Sequence, residues 1–220
     1  MIKIAIDCAI FCYDHGTLKV LLSKKNNHAN AKWGILSGML EDNESADDAA
    51  SRLAQEYGAE KNILLRQLRT FTDPNQQDSE RNITIGYYGL INIDKYKTIF
   101  GSSPYYKRWW KVTDVPDLLF NHKKIIDLSL YQIGNTLRES AVGFELLPEE
   151  FTLSELTNLY REILGVEANE SSFCKKIVQK KIIVPLVDEQ KSTEIETERR
   201  YKFNVREYEK LAIEKTSVIF

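Results

Sequence analysis

A chain of 220 residues, 43% hydrophobic and 28% charged, holds enough apolar material for one sizeable core and a smaller second one. A formal net charge of −2 excludes a uniformly basic nucleic-acid binder but leaves room for a local cationic face. Three scattered cysteines, Cys8, Cys12 and Cys174, lack neighbours at metal-ligand spacing, the N-terminus runs into polar sequence too soon for a signal peptide, and no apolar run approaches the length of a membrane span. A cytoplasmic protein with no metal centre, no cofactor and no membrane contact is therefore expected.

In chain order, residues 4–13 form an apolar run closed by the turn signal Asp14-His15-Gly16, and 18–23 read as its hairpin partner. After a polar loop, Trp33-Gly34-Ile35-Leu36 predicts a short strand ending at Gly38. Residues 45–57 predict a helix: Ser45 and Asp48 form a capping pair, Ala46, Ala49, Ala50, Leu53 and Tyr57 share one face, and Gly58 stops it. Strands follow over 63–71, 82–93 and 108–112, then a helix over about 121–140. Strands interleaved with two helices imply an α/β layer structure, a mixed sheet sandwiched between helices.

Near 142–148 the texture changes, and the expected domains are 1–145 and 146–220. Thr152 and Glu155 make a capping box for a helix to Leu164, with Gly165 as its stop. A second helix runs over about 169–181, then short β segments over 182–187 and 199–205 flank a charged stretch, and a last short helix covers 206–214. Two helices followed by a β-hairpin with a charged tip is the layout of a winged helix.

The segment from Gly38 to Gly58 resembles the Nudix box, whose pattern is G-x5-E-x7-R-E-U-x-E-E-x-G-U. Gly38, Glu44 and Arg52 match without a gap. Glutamates at i, i+3 and i+4 on one helix face gather magnesium against a diphosphate in such a box. Here those three positions read Leu53, Glu56 and Tyr57, or Arg52, Gln55 and Glu56 if one residue is deleted. One carboxylate survives in either register, which is a poor magnesium site. A domain that binds a ligand without hydrolysing it is expected, with no catalytic residue assigned.

Three further stretches resemble the family of Nudix-related transcriptional regulators: Phe71-Thr72-Asp73-Pro74 through Ser79-Glu80-Arg81 to Tyr87-Tyr88-Gly89-Leu90-Ile91-Asn92; Gly143-Phe144-Glu145-Leu146-Leu147-Pro148 with Phe151-Thr152-Leu153-Ser154-Glu155-Leu156; and Arg199-Arg200-Tyr201-Lys202-Phe203. The resemblance implies a Nudix-type α/β/α sandwich followed by a small winged helix-turn-helix domain. It also implies a homodimer on operator DNA, governed by a small effector such as ADP-ribose or a pentose. The order Leu-Leu-Pro then Phe-Thr-Leu looks closest to the sugar-utilisation branch. The Glu-rich stretch before Arg199 departs from the family at the wing.

On the second helix of the tail domain, Phe173, Ile177 and Val178 are expected to face the core. Ser171, Ser172, Lys175, Lys176 and Gln179, with Lys180 at the edge, are expected to face DNA, with Arg199, Arg200 and Lys202 on the hairpin. Trp33, Asp73, Arg81 and Tyr87 are the candidate effector contacts. For Trp33 and Tyr87 the alternative is an ordinary core role, and for Arg81 a loop brace to Asp73 or Asp78. Two rival functions stand beside the regulator: a magnesium-dependent Nudix hydrolase using Glu44, Glu56 and a carboxylate outside the helix, and a protein-docking module.

Overall fold

The computed structural model describes residues 3–24, 31–56, 63–72, 82–93, 106–165, 170–186 and 199–213. The chain divides into two compact units: Met1–Asp14 with Leu18–Gln132, and Ile133–Phe220 together with His15–Thr17.

The first unit is built on a mixed six-stranded sheet. Its strands are β1 (Lys3–Asp14), β2 (Thr17–Lys24), β3 (Leu36–Met39), β4 (Leu64–Phe71), β5 (Asn82–Asn92) and β6 (Tyr106–Lys111). The order is β4-β5-β1-β2-β6, with β3 pairing to β1 off this path. Strands β1 and β5 run parallel over their full length, from Lys3 opposite Asn82 to Tyr13 opposite Asn92. Both are covered on two faces, which explains why their sequences are apolar runs rather than alternating patterns. The edge strand β4 carries exposed Arg66, Gln67, Arg69 and Thr70.

Helix α1 (Ala46–Glu56) covers one face. Ala49, Ala50 and Leu53 join Ile6, Cys8, Ile10, Cys12, Leu21, Leu36, Tyr87 and Ile91 in one apolar cluster. Its start is the expected cap, with the Asp48 backbone N–H donating to Ser45 Oγ at 3.1 Å. Tyr57 and Gly58 lie outside the described residues. Helix α2 (His122–Glu139) begins on the other face, where His122 meets Asp7 of β1.

The strand expected at 33–36 sits further along. Leu36–Met39 pairs with Cys8 back to Ala5, while Trp33 and Gly34 make only isolated bridges, to Leu118 and Ser23. Partner register with β1, not local pattern, decides which residues of this segment become strand.

The second unit contains α3 (Leu153–Leu164), α4 (Glu170–Gln179), α5 (Val205–Ile213) and a three-stranded antiparallel sheet. Its strands are β7 (Phe151–Thr152), β8 (Ile183–Pro185) and β9 (Arg200–Phe203), in the order β7-β9-β8. Both halves of the Thr152/Glu155 capping box form, and Gly165 closes α3 in a left-handed conformation with φ 63°. Phe144 stacks on Phe203 at 4.3 Å between centroids, and buried Tyr160 packs on Phe173 at 4.7 Å. The C-terminal half of α2 and the turn Val142–Glu145 cluster with this unit.

Candidate functional site

Three places bring polar chemistry together, and each is set by a specific local geometry. The first lies at the start of α1. Arg52 donates from Nε to Glu44 Oε2 at 2.9 Å and from Nη2 to Glu44 Oε1 at 2.5 Å, a two-pronged charge-assisted pair. The same guanidinium reaches Glu56 at 3.1 Å and the Met39 carbonyl at 3.1 Å. The Arg52 hydrogen bond holds the Glu44 carboxyl below the usual carboxylate range. Glu44 and Arg52 are thus a matched pair eight residues apart, which favours the ungapped register.

In that register the first glutamate position is Leu53, which is buried. An added Cβ at Gly38 would stand 2.6 Å from Leu53 Cδ2, so the leucine fills the space beside that glycine. Glu56, the surviving carboxylate, is tied to Arg52. Glu41 also lies 3.8 Å from Arg52 Nε, and among the described residues no group of three or more His, Cys, Asp or Glu is placed to hold a metal ion.

Tyr87 stands on the same face of the sheet. Its hydroxyl donates to Asp47 Oδ1 at 2.6 Å and lies 3.5 Å from Gln67 Oε1. Burial and the Asp47 contact push the phenol well above its ordinary value, so it is a neutral donor at physiological pH. Trp33 sits elsewhere. Its ring contacts Trp110 at 5.6 Å and Tyr106 at 6.0 Å. Trp109 packs on the α1-side cluster, so alternation along β6 places Trp110 and Tyr106 on the opposite face. Two of the four candidate effector residues are therefore on opposite faces, with β1 and β2 between β5 and β6. Asp73 and Arg81 lie outside the described residues.

The second place was not singled out in the sequence. Asp7 and His122 are both buried, and His122 Nε2 is 3.4 Å from Asp7 Oδ2. The Ile35 backbone N–H donates to His122 Nδ1 at 3.2 Å, and His122 Nε2 has no hydrogen-bond partner among the described residues. Asp7 Oδ1 has no hydrogen-bond partner among the described residues. The only local signal was a lone acid inside an apolar strand. Its partner lies far along the chain.

The third place is the exposed face of α4. Phe173 and Ile177 are buried, while Lys175, Lys176 and Gln179 are exposed and Lys180 is half-buried. Val178, expected in the core, is instead 38% exposed, because Ile177 takes the inward position and the next residue turns about 100° away from it. Ser171 and Ser172 belong to the first turn of α4. Lys202 projects from β9, and Arg200 donates to the Glu150 carbonyl at 3.3 Å. Lys175, Lys176 and Lys202 form no ion pair among the described residues. Arg199 lies just before β9, and residues 187–198, which include the Glu-rich stretch, are outside the described residues.

Residues 143–203 match the NrtR DNA-binding winged helix domain family. The chain is 25% identical over 209 residues to the ADPR responsive transcriptional repressor NtrR of Acinetobacter baylyi, covering 93% of this chain and 83% of the relative. It is similar in structure to Shewanella oneidensis NrtR in complex with a 27mer DNA, with a TM-score of 0.76, 21% identity and coverage of 94% and 95% of the two chains. For a second structure of Shewanella oneidensis NrtR the values are 0.77, 24%, 92% and 94%. The chain therefore carries an NrtR-type winged helix behind a Nudix-type domain, the architecture of the Nudix-related regulator family that its sequence resembles.

Proposed function

We propose that the chain is a DNA-binding transcriptional regulator whose Nudix-like domain senses a nucleoside diphosphate sugar of the ADP-ribose class. The observation that carries this reading is a DNA-binding winged helix at 143–203 in a chain that follows an ADPR-responsive repressor over nearly its whole length. The same likeness favours ADP-ribose over a free pentose. Lys175, Lys176 and Gln179 are the proposed DNA contacts on α4, preceded by Ser171 and Ser172 and flanked by Lys180, Arg199, Arg200 and Lys202. Two copies on a two-fold operator would let half-site spacing read out the dimer geometry, and the effector acts by preferring one such geometry.

The Nudix helix is read as part of a receptor and not a hydrolase. Arg52 occupies Glu44 and Glu56, and Leu53 replaces a carboxylate with a buried apolar group. Gel shifts on duplex from the protein's own upstream region test the reading, with ADP-ribose and arabinose as effectors. Sequence-specific binding that ADP-ribose alters and arabinose does not is expected. Absence of specific binding at modest salt would sink it, and magnesium-dependent cleavage of ADP-ribose at enzyme-like rates would restore the hydrolase reading.

A further inference from the structure

We propose that the aromatic and cationic cluster on the α2 side of the sheet is a binding site for a nucleoside monophosphate, with the base on Tyr106 and the phosphate on Arg108 and Lys24. Alternation along β6 sends Tyr106, Arg108 and Trp110 to this face, opposite Lys24, Leu22 and Val20 of β2. Lys24 Nζ stands 5.0 Å from the Trp33 ring centre and 5.4 Å from that of Tyr106. Arg108 Cζ stands 4.7 Å from the Trp110 ring centre. Lys24 and Arg108 are diagonal neighbours across the β2–β6 pair, a backbone separation of about 7–8 Å in such a ladder. Side chains as long as these can reach one phosphate from positions so spaced.

Two features point to a ligand and not to a brace alone. Arg108 forms no ion pair or hydrogen bond among the described residues, and its guanidinium carbon lies over the Trp110 ring. Its exposed N–H fork is therefore available for bidentate capture of a phosphate. Tyr106 is 48% exposed although it belongs to a ring cluster, leaving a face for a stacked base. A neutral sugar would use the rings but gain nothing from the two cations. A bare phosphate would use the cations but not the ring. A nucleotide uses both. The cluster lies on the face of the sheet opposite the Glu44–Arg52 pair, and the proposal does not depend on the ADP-ribose reading.

The test uses the full-length protein and its own fluorescence. Of three tryptophans, Trp33 and Trp110 belong to the cluster and Trp109 packs on the other face. Titration with AMP is expected to give saturable quenching, and ribose phosphate a much weaker response. Arg108→Gln should weaken the AMP response roughly tenfold or more, the cost of losing a charge-assisted hydrogen bond. Tyr106→Ala should reduce it as well, while Tyr87→Phe, on the opposite face, should not. Because both side chains are exposed, their removal leaves the core intact, and a thermal melt of each variant checks this. The site is refuted if AMP quenching does not saturate, if Arg108→Gln leaves it unchanged, or if ribose phosphate matches AMP.

Discussion

Helices α1 and α4 are of similar length and each carries a charged face, yet the charges meet opposite fates. On α1 and the loop before it, Arg52 is consumed by Glu44, Glu56 and the Met39 carbonyl, Asp47 accepts from Tyr87, and Asp48 completes the cap. On α4, Lys175 and Lys176 stand above buried Phe173 and Ile177 with no ion pair among the described residues. Charge that is already matched within the chain fixes local geometry. Charge left unmatched on a rigid helix is available to a partner, and lysines in that state fit phosphates.

The largest effect should come from the unmatched side. Replacing Lys175 and Lys176 together with Ala is expected to weaken duplex binding roughly tenfold or more and to lower the salt slope by about two units, one for each phosphate no longer neutralised. Binding isotherms at several salt concentrations check this. An unchanged slope would make these lysines ordinary solvated surface and remove the contrast with α1.

That contrast was half legible in the sequence. The 3.6-residue pattern located both helices, and the Ser45 cap of α1 and the Thr152 cap of α3 were legible because capping is a local interaction. Long-range choices were hidden. Nothing near residue 36 reveals that β1 pairs with Leu36–Met39 and leaves 33 and 34 to isolated bridges. Trp33 and Tyr87 read alike as aromatics near a cleft, but their rings lie on opposite faces of the sheet. Asp7 and His122 are separated by most of the first unit and meet only through the fold.

The Asp7–His122 region supports a second, smaller prediction about matched groups. An added Cβ at Gly34 would lie 2.8 Å from His122 Nδ1 and 3.0 Å from its Cε1, against a ring already held by Ile35 and Asp7. Gly34→Ala should cost about 1–3 kcal/mol by overpacking. The loss should shrink in a His122→Ala background, where the ring is gone, so a double-mutant cycle by denaturant melts should show strong coupling. Additive losses would mean the ring moves aside freely. Smaller again, Thr152→Ala removes the cap of α3 and should cost about 1 kcal/mol, read as a lowered melting temperature.

The smallest effect tests whether the α1 charges are matched to each other. Glu44 is held below its ordinary value chiefly by the hydrogen bond from Arg52, so the folded chain takes up that proton less readily than the unfolded chain. Its contribution is complete above the unfolded carboxylate value and disappears as pH falls through the lower, folded value. Arg52→Gln should therefore flatten the acid limb of the stability curve while leaving its neutral-to-basic shape alone. The pair is solvent-accessible, so added salt should shrink the difference between the two proteins. Glu44→Gln alone should reproduce the flattening, because either change removes the same linkage. If the two variants differ in the acid limb, Glu44 and Arg52 do not act as one unit, and the matched state of this helix rests on Glu56 and the Met39 carbonyl instead.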